Sequence, residues 1–168
     1  MSIDPRRVFL VPPCDADDLG ELSVLGVRQA RGLGDALGDV PLKAVYAGPG
    51  RASEDTAETI ASRHGLRVRR KPSFGVATEE PFDEAAARVV ETFETVANAG
   101  PGRTSLLVIS EMAARIVLSH CSGLSPSVDD RLTLSAGSIT EITVDEALFV
   151  VERVGDVTHL PRVASNAT

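Results

Sequence analysis

Apolar and polar positions follow two different periods along this chain. Short, nearly continuous apolar runs, which are typical of buried strands, stand at Val8 to Val11, Ala44 to Ala47 and Ser105 to Ser110, and Val68 belongs to a further short strand. Segments with helical spacing separate these runs. Because strands alternate with helices, we predict a three-layer α/β/α sandwich with a mostly parallel central sheet.

Four segments carry apolar residues three or four positions apart, as an amphipathic helix does. Ser23 is a good helix cap, and Gly38 ends the first of these helices. The strands Ser138 to Val144 and Leu148 to Val154 follow the last helix and can form a hairpin. The predicted helices cover residues 24–37, 51–64, 82–99 and 111–122.

Length and charge narrow the class of protein. The chain has 168 residues, of which 43% are apolar and 24% are charged. This composition predicts a single domain over residues 1–160 and a flexible tail over 161–168. The net charge of -7 argues against a nucleic-acid partner, and we interpret the basic cluster from Arg67 to Lys71 as the exposed face of a short strand.

Cysteine content and the lengths of the apolar runs indicate the cellular compartment of the protein. Cys14 and Cys121 are too few for a disulfide framework and lack metal-ligand spacing, so we predict free thiols and no metal or other cofactor. No apolar run is long enough for a secretory signal or a membrane span, which argues against a membrane partner. We therefore expect a cytoplasmic protein.

Four segments carry a family resemblance, in order along the chain. Leu22 to Ala30 matches a helix start of the form Leu-Ser/Thr-x-x-Gly-x-x-Gln-Ala, and Val45 to Glu58 matches a strand followed by an arginine that opens a helix. Leu106 to Glu111 matches a strand that ends at a second active-site residue. Leu134 to Ile142 matches an Asn-Gly-Ser-Ile strand, with Ala136 where asparagine is usual. Together they resemble the histidine phosphatase (phosphoglycerate mutase-like) superfamily.

The resemblance implies a phosphoryl-transfer site from which most of the reacting groups are missing. In the family, one histidine accepts the phosphoryl group, arginines and a second histidine neutralise its oxygens, and a carboxylic acid protonates the leaving group. In the Arg-His-Gly positions after the first strand, this chain has Pro12, Pro13 and Cys14. Glu111 stands in the position of the family's second histidine. Arg51 alone keeps the family's residue.

The acid of the family is also without a clear counterpart. Its usual segment near Phe74 and Gly75 has no carboxylate that aligns, although Glu79 and Glu80 follow. We therefore predict no catalytic residue and a catalytically inactive member that acts as a binding or regulatory module for a small molecule or a protein, with a homodimer left open. The predicted vestigial pocket consists of Pro12, Pro13, Cys14, Arg51 and Glu111.

Two arrangements of this pocket are open. In the first, the Glu111 carboxylate takes the place of a phosphate and pairs with Arg51, which closes the pocket with an internal ion pair. In the second, Glu111 points to solvent and Arg51 caps local carbonyl groups. In either arrangement Asp15, Asp17 and Asp18 make the surroundings negative, which disfavours a phosphate dianion.

Two alternatives retain chemistry at this place. A phosphatase or mutase acting on a small phosphorylated substrate could use Cys14 or Asp15 as its nucleophile, although Gly20 stands where a thiol phosphatase has arginine. A divalent cation could bind the acidic residues 15–18 together with Glu111, but we interpret these residues as an acidic surface loop. A homo-oligomeric structural role remains if all of these fail.

One tripeptide imitates the family's catalytic sequence. Arg63-His64-Gly65 spells Arg-His-Gly, but it follows a predicted helix rather than the first strand. Glycine after the last helical residue and basic side chains in the last turn are typical of a helix end. We therefore interpret these three residues as structural.

Overall fold

The computed structural model describes residues 5–100, 103–127 and 132–162. Residues 163–168, most of the predicted tail, lie outside the described residues. The strands are β1 (Arg6–Val11), β2 (Ala44–Ala47), β3 (Val68–Arg70), β4 (Thr104–Val108), β5 (Ile139–Asp145) and β6 (Leu148–Asp156). The helices are α1 (Val24–Ala36), α2 (Arg51–Arg63), α3 (Phe82–Ala97) and α4 (Glu111–Cys121), and a 3₁₀ turn at Pro72–Phe74 precedes α3.

The strands form one sheet of six, in the order β3-β2-β4-β1-β5-β6. The pairs β3–β2, β2–β4 and β4–β1 are parallel, whereas β5 runs antiparallel to both β1 and β6. The predicted mostly parallel sheet and its final hairpin are therefore confirmed. The parallel half is the part that brings helix starts and strand ends to one edge.

Helices cover both faces of the sheet, because successive side chains of each central strand point to opposite sides. Val8 of β1 packs into a cluster with Phe93 of α3. The next residue, Phe9, packs into a second cluster with Leu33 of α1 and Ile60 of α2. All five of these side chains are buried almost completely. The three-layer α/β/α prediction is confirmed.

The start of α1 is built around the backbone of Asp15, the residue that follows the Pro-Pro-Cys segment. Ser23 caps the helix by accepting a hydrogen bond from the Gly26 N–H at 3.0 Å, as predicted. Its own N–H donates to the Asp15 carbonyl at 3.0 Å, and the Gln29 Oε1 accepts from the Asp15 N–H at 2.8 Å. Residues of the Leu22 to Ala30 motif therefore fix the loop after β1.

The Arg-His-Gly tripeptide after α2 has the structural role that the sequence indicates. Arg63 is the last residue of α2 and forms an ion pair with Asp35 of α1. His64 caps the helix, and Gly65 adopts a φ of 65°, the left-handed conformation that glycine accepts most readily.

In the three ranges that the structure covers, no helix is long and apolar enough to cross a membrane.

Replacing Gly26 by alanine tests the packing of α1 against the loop. A Cβ atom at this position would lie 1.9 Å from the Asp15 carbonyl oxygen, so the loop and the helix would have to separate. We expect Gly26→Ala to lower the free energy of unfolding by about 2 kcal/mol or more, measured by chemical denaturation. Arg28→Ala, at an exposed position of the same helix, is the control and should change it by less than about 0.5 kcal/mol. Equal effects of the two substitutions would contradict this packing.

Candidate functional site

Two of the segments that carry the family resemblance meet the Pro12 to Cys14 segment at one edge of the sheet. The register pairs Val108 of β4 with Val11 of β1 and with Ala47 of β2, so these three strands end side by side. Parallel sheets bind ligands beyond such strand ends. The segments that follow the three strands are Pro12 to Cys14, Gly48 to Arg51, and Ile109 to Glu111.

The Pro12 to Cys14 segment is tied down by backbone hydrogen bonds. The Pro12 carbonyl accepts from the Gly137 N–H at 3.1 Å, and the Cys14 N–H donates to the Thr56 Oγ1 at 3.1 Å. Cys14 is only 2% exposed. Its Sγ lies so close to Gly137 that a Cβ added to that glycine would be 3.3 Å away. The segment is thus packed between α2 and the turn before β5.

The thiol of Cys14 is poorly suited to nucleophilic attack. Burial raises the pKa of Cys14 to about 11, against the opposing hydrogen bond of Thr56 and with a smaller contribution from the negative charge of Asp15. Burial likewise raises the pKa of Cys121 to about 12, helped by Glu94. Because the thiolate is the reactive form, both thiols are almost entirely unreactive at neutral pH. Both cysteines are free, as predicted.

Arg51, the predicted counterpart of the family's arginine, is bound by carboxylates of the protein. It lies at the first position of α2, and its Nη1 is 2.5 Å from the Glu21 Oε1. Its Nε is 3.8 Å from the Asp55 Oδ2, one helical turn further on. The hypothesis that Arg51 pairs with Glu111 is therefore wrong. So is the expectation that it caps carbonyl groups, because nearby carboxylates outcompete neutral acceptors for a guanidinium.

Glu111 holds the chain that enters β5. Its Oε1 accepts a hydrogen bond from the Leu134 N–H at 3.2 Å, although the residue itself is exposed. Glu111 is also the first residue of α4, after the Ser110 cap, and a carboxylate is favourable at the positive end of the helix dipole. Glu111 faces solvent, as one of the two predicted arrangements has it, but it also binds the backbone.

The acidic residues after Cys14 form an ordered turn. The Asp17 Oδ1 accepts hydrogen bonds from the N–H groups of Leu19 at 2.9 Å and Glu21 at 3.1 Å. The Asp15 Oδ2 accepts from the Ser23 hydroxyl at 2.5 Å. The described ranges contain no group of three or more histidine, cysteine, aspartate or glutamate side chains that could hold a metal ion. Residues 15–18 are all exposed, as expected of an acidic surface loop.

Arg51 ties this turn to α2. Glu21 closes the turn, and the Asp17 N–H donates to its carbonyl at 2.7 Å. The side chain of Glu21 then reaches the Arg51 guanidinium. At the tip of the turn Leu19 is 83% exposed. Arg51 thus clamps this surface turn to α2.

Near the segment in which the family carries its acid, Arg88 and Glu80 form an ion pair that backbone carbonyl groups also support. Arg88 of α3 binds Glu80, with Nη2 to Oε2 at 2.9 Å, and also donates to the carbonyl groups of Ser73 and Gly75 at 3.2 and 2.5 Å. The hydrogen bond from Arg88 lowers the pKa of Glu80. A general acid needs a raised pKa at neutral pH, so Glu80 is ill suited to that role.

Arg88 is not among the residues that the sequence singles out. It lines an open groove of about 540 Å³ next to the strand ends, together with Pro49, Val76 and Glu80. Its contacts depend on how the loop before α3 folds back, and no spacing in the sequence encodes that. From the sequence alone, an arginine on the polar side of a helix is expected to be solvated, because the course of the loop that supplies its partners is not known.

The family model of the histidine phosphatase superfamily (branch 1) matches residues 15–75 and 69–157. The chain therefore belongs to this superfamily. The match begins at Asp15, one residue after the Pro12 to Cys14 segment. Among curated proteins, no sequence matches the chain at a significant level.

Solved structures share the fold at low sequence identity. YhfR of Bacillus stearothermophilus has a TM-score of 0.83 and 16% identity over 93% of this chain and 100% of its own. A putative alpha-ribazole-5'-P phosphatase of Escherichia coli has a TM-score of 0.80 and 15% identity over 94% of this chain and 100% of its own. A mycobacterial glucosyl-3-phosphoglycerate phosphatase has a TM-score of 0.74 and 20% identity over 90% of this chain and 99% of its own. The phosphoglycerate mutase-like fold is thereby confirmed, and these identities support nothing finer.

The protection of Cys14 can be measured by alkylation. We expect iodoacetamide to modify Cys14 about a hundredfold more slowly in the folded protein than in the unfolded chain, because its pKa rises from 9.0 to about 11. The rates can be followed at neutral pH by mass spectrometry of the cysteine peptides. Alkylation of folded Cys14 at the rate of the unfolded chain would show that the thiol is accessible and ionised.

The clamp between Arg51 and Glu21 can be measured with a double-mutant cycle. Arg51→Ala and Glu21→Gln should each lower the free energy of unfolding by less than about 1 kcal/mol, because both side chains are largely exposed to solvent. Their coupling free energy should be about 0.2–1 kcal/mol and should shrink at high salt. Additive effects would mean that the two side chains do not interact in solution.

Proposed function

We propose that this chain is a catalytically inactive member of the histidine phosphatase superfamily that acts as a binding or regulatory module. The observation that carries the proposal is Pro13, which follows the central strand where the family has its nucleophilic histidine. A proline side chain has no lone pair to attack phosphorus. Loss of a nucleophile alone typically costs a factor of about 10³ to 10⁶ in rate.

The electrostatics around Arg51 support the same proposal. Glu21 and Asp55 already satisfy this guanidinium, and Asp15, Asp17 and Asp18 lie on the adjoining turn. A phosphate dianion would have to displace a carboxylate from Arg51 and then remain among several others. Because like charges repel, phosphate binding here is disfavoured.

Little supports catalysis through another nucleophile. The Cys14 thiol is buried with a raised pKa, and the Asp15 carboxylate is hydrogen-bonded to Ser23. A phosphomonoester hydrolase also needs an acid for the leaving group, and Glu80, which follows the family's acid segment, is held ionised by Arg88, which lowers its pKa.

Because phosphate binding is disfavoured, the ligand of a binding module would be one without a phosphate group. The edge of the sheet still offers a groove beside Pro49 and Arg88 of about 540 Å³, which is within the size range of small-molecule sites. The exposed Leu19 and the acidic turn beneath it would instead suit a protein partner. The two free thiols fit a reducing compartment, which supports the cytoplasm as the location.

Hydrolysis of an aryl phosphate tests the proposal. We expect no turnover above the buffer rate between about pH 4 and pH 9 for the wild type, Arg51→Ala or Cys14→Ser, because neither a nucleophile nor a free phosphate clamp is present. A superfamily phosphatase with an intact Arg-His-Gly serves as the positive control. Turnover that Arg51→Ala abolishes would contradict the proposal, and its loss in Cys14→Ser would name the nucleophile.

A further inference from the structure

The edge strand β3 presents different side chains on its two faces. Its register pairs Arg69 with Tyr46 of β2, and the next pair is Arg70 with Ala47. Tyr46 packs into the core cluster that contains residues of α3, whereas Ala47 and Val68 pack into the cluster that contains residues of α2. Paired residues of neighbouring strands lie on the same face of a sheet. Arg69 therefore lies on the α3 face, and Val68 and Arg70 lie on the α2 face.

The positive charges on the α3 face of this edge have no counterion within the protein. On the opposite face, the Arg70 Nε is 3.3 Å from the Glu54 Oε1 of α2. Among the residues that the structure describes, none forms an ion pair with Arg67, Arg69 or Lys71. Because these three residues stand two positions apart, the alternation of an extended chain places them on one face. The α3 face of the edge thus carries three unneutralised cations.

The Tyr46 ring holds two of these cations in place. The Arg69 Cζ is 5.8 Å and the Lys71 Nζ is 5.9 Å from the centroid of the ring. Cations at this distance are attracted to the face of an aromatic ring. Tyr46 is itself only 4% exposed and is fixed by the core. An anion that binds here therefore meets side chains that are already partly ordered, so that less conformational entropy is lost on binding.

The edge can accept only a short segment. In the described part of the chain β3 is the end strand of the sheet, so no strand lies on its outer side. Pro72, which has no backbone N–H, follows Lys71. Residues 67–71 span about 17 Å at about 3.3 Å per residue. A nucleic acid or another long polyanion would extend beyond this length onto the surface of a protein whose net charge is -7, which disfavours it.

We propose that the β3 edge binds a short acidic segment of another protein as an added strand, in which acidic residues alternate with apolar ones. The acidic side chains lie on the α3 face, opposite Arg67, Arg69 and Lys71. The apolar side chains lie on the α2 face, where they meet half-buried Val68 and the aliphatic part of Arg70. Added strands gain affinity from backbone hydrogen bonds and specificity from alternate side chains, and opposite charges on facing positions stabilise the pairing.

The charges of this edge also select against other occupants. A second copy of β3 would place arginine and lysine opposite arginine and lysine, which is destabilising. Short length and repeated positive charge likewise protect an edge strand from apolar strands. The proposal gives the proposed binding module a class of partner, but it depends neither on the residues after β1 nor on Arg51. Peptide binding and the absence of aryl phosphate hydrolysis can therefore fail separately.

Fluorescence anisotropy with the full chain tests the proposal. The probe is a labelled peptide of the sequence Glu-Val-Glu-Val-Glu, and the control peptide, Glu-Glu-Glu-Val-Val, has the same composition and charge without the alternation. We expect saturable binding of the alternating peptide that is about fivefold or more tighter than binding of the control. Because exposed charges are screened by salt, the Kd should rise about tenfold between about 50 and 500 mM salt.

Two neighbouring substitutions separate the faces of the strand. Arg69→Gln and Arg70→Gln remove the same charge, but only the first faces the acidic side chains. We expect Arg69→Gln to raise the Kd about threefold, Arg69→Gln combined with Lys71→Gln to raise it about tenfold, and Arg70→Gln to change it less than about twofold. Only Arg70→Gln breaks an ion pair of the folded protein, so loss of stability cannot explain this order. Arg31→Gln, at an exposed position of α1, should leave the Kd unchanged.

Three results would overturn the proposal. The first is the absence of saturable binding, or equal binding of the two peptides. The second is an equal effect of Arg69→Gln and Arg70→Gln, which would mean that the peptide does not distinguish the two faces. The third is equal affinity for a single-stranded oligonucleotide with the same number of charges, which would show a general attraction for anions.

Discussion

The backbone of Asp15 is the point on which this site depends. Ser23, the cap of the first helix, and Gln29 within that helix hydrogen-bond to it, and Gly26 makes a close approach that only glycine allows. This contact sets the course of the chain on both sides of the residue. Pro12 to Cys14, which precede Asp15, lie directly after the end of β1, and the acidic turn begins after Asp15.

The helix motif therefore retains a structural task that does not require phosphate chemistry. In the family, a loop after the first strand must be fixed in order to present a nucleophile. Here the same fixed loop presents two prolines and a buried cysteine, whose backbone groups bind Gly137 and Thr56. Under the proposed function, fold and motif persist without the reacting groups, because the packing that holds the loop is independent of their chemistry.

The surviving arginine follows the same logic. A guanidinium at the start of a helix, without phosphate, is stable only if carboxylates neutralise it or water solvates it. Glu21 on the turn and Asp55 on the next helical turn supply those carboxylates. The positive charge of Arg51 is thus used to hold the turn that carries Leu19.

The sequence predicts the secondary structure well where a local signal exists. Ser23 is identifiable as a cap from its own chemistry, and the bounds of β2, Ala44–Ala47, follow from an apolar run between turn residues. Partners of exposed charged side chains are not predictable in this way. Arg51 and Glu21 are thirty positions apart, and their meeting depends on a turn whose hydrogen bonds no periodicity reveals. The pairing of Arg88 with Glu80 escapes prediction for the same reason.

The most direct test of whether carboxylates already satisfy Arg51 is an NMR titration with inorganic phosphate that follows the side-chain Nε–H of Arg51 and the backbone amide of Cys14. If they do, neither resonance should show a saturable shift, and Glu21→Gln should change the starting position of the Arg51 signal. A saturable shift of both resonances in the wild type would mean that phosphate displaces Glu21. The strand ends would then form a working phosphate pocket, which contradicts a clamp closed by the protein's own carboxylates.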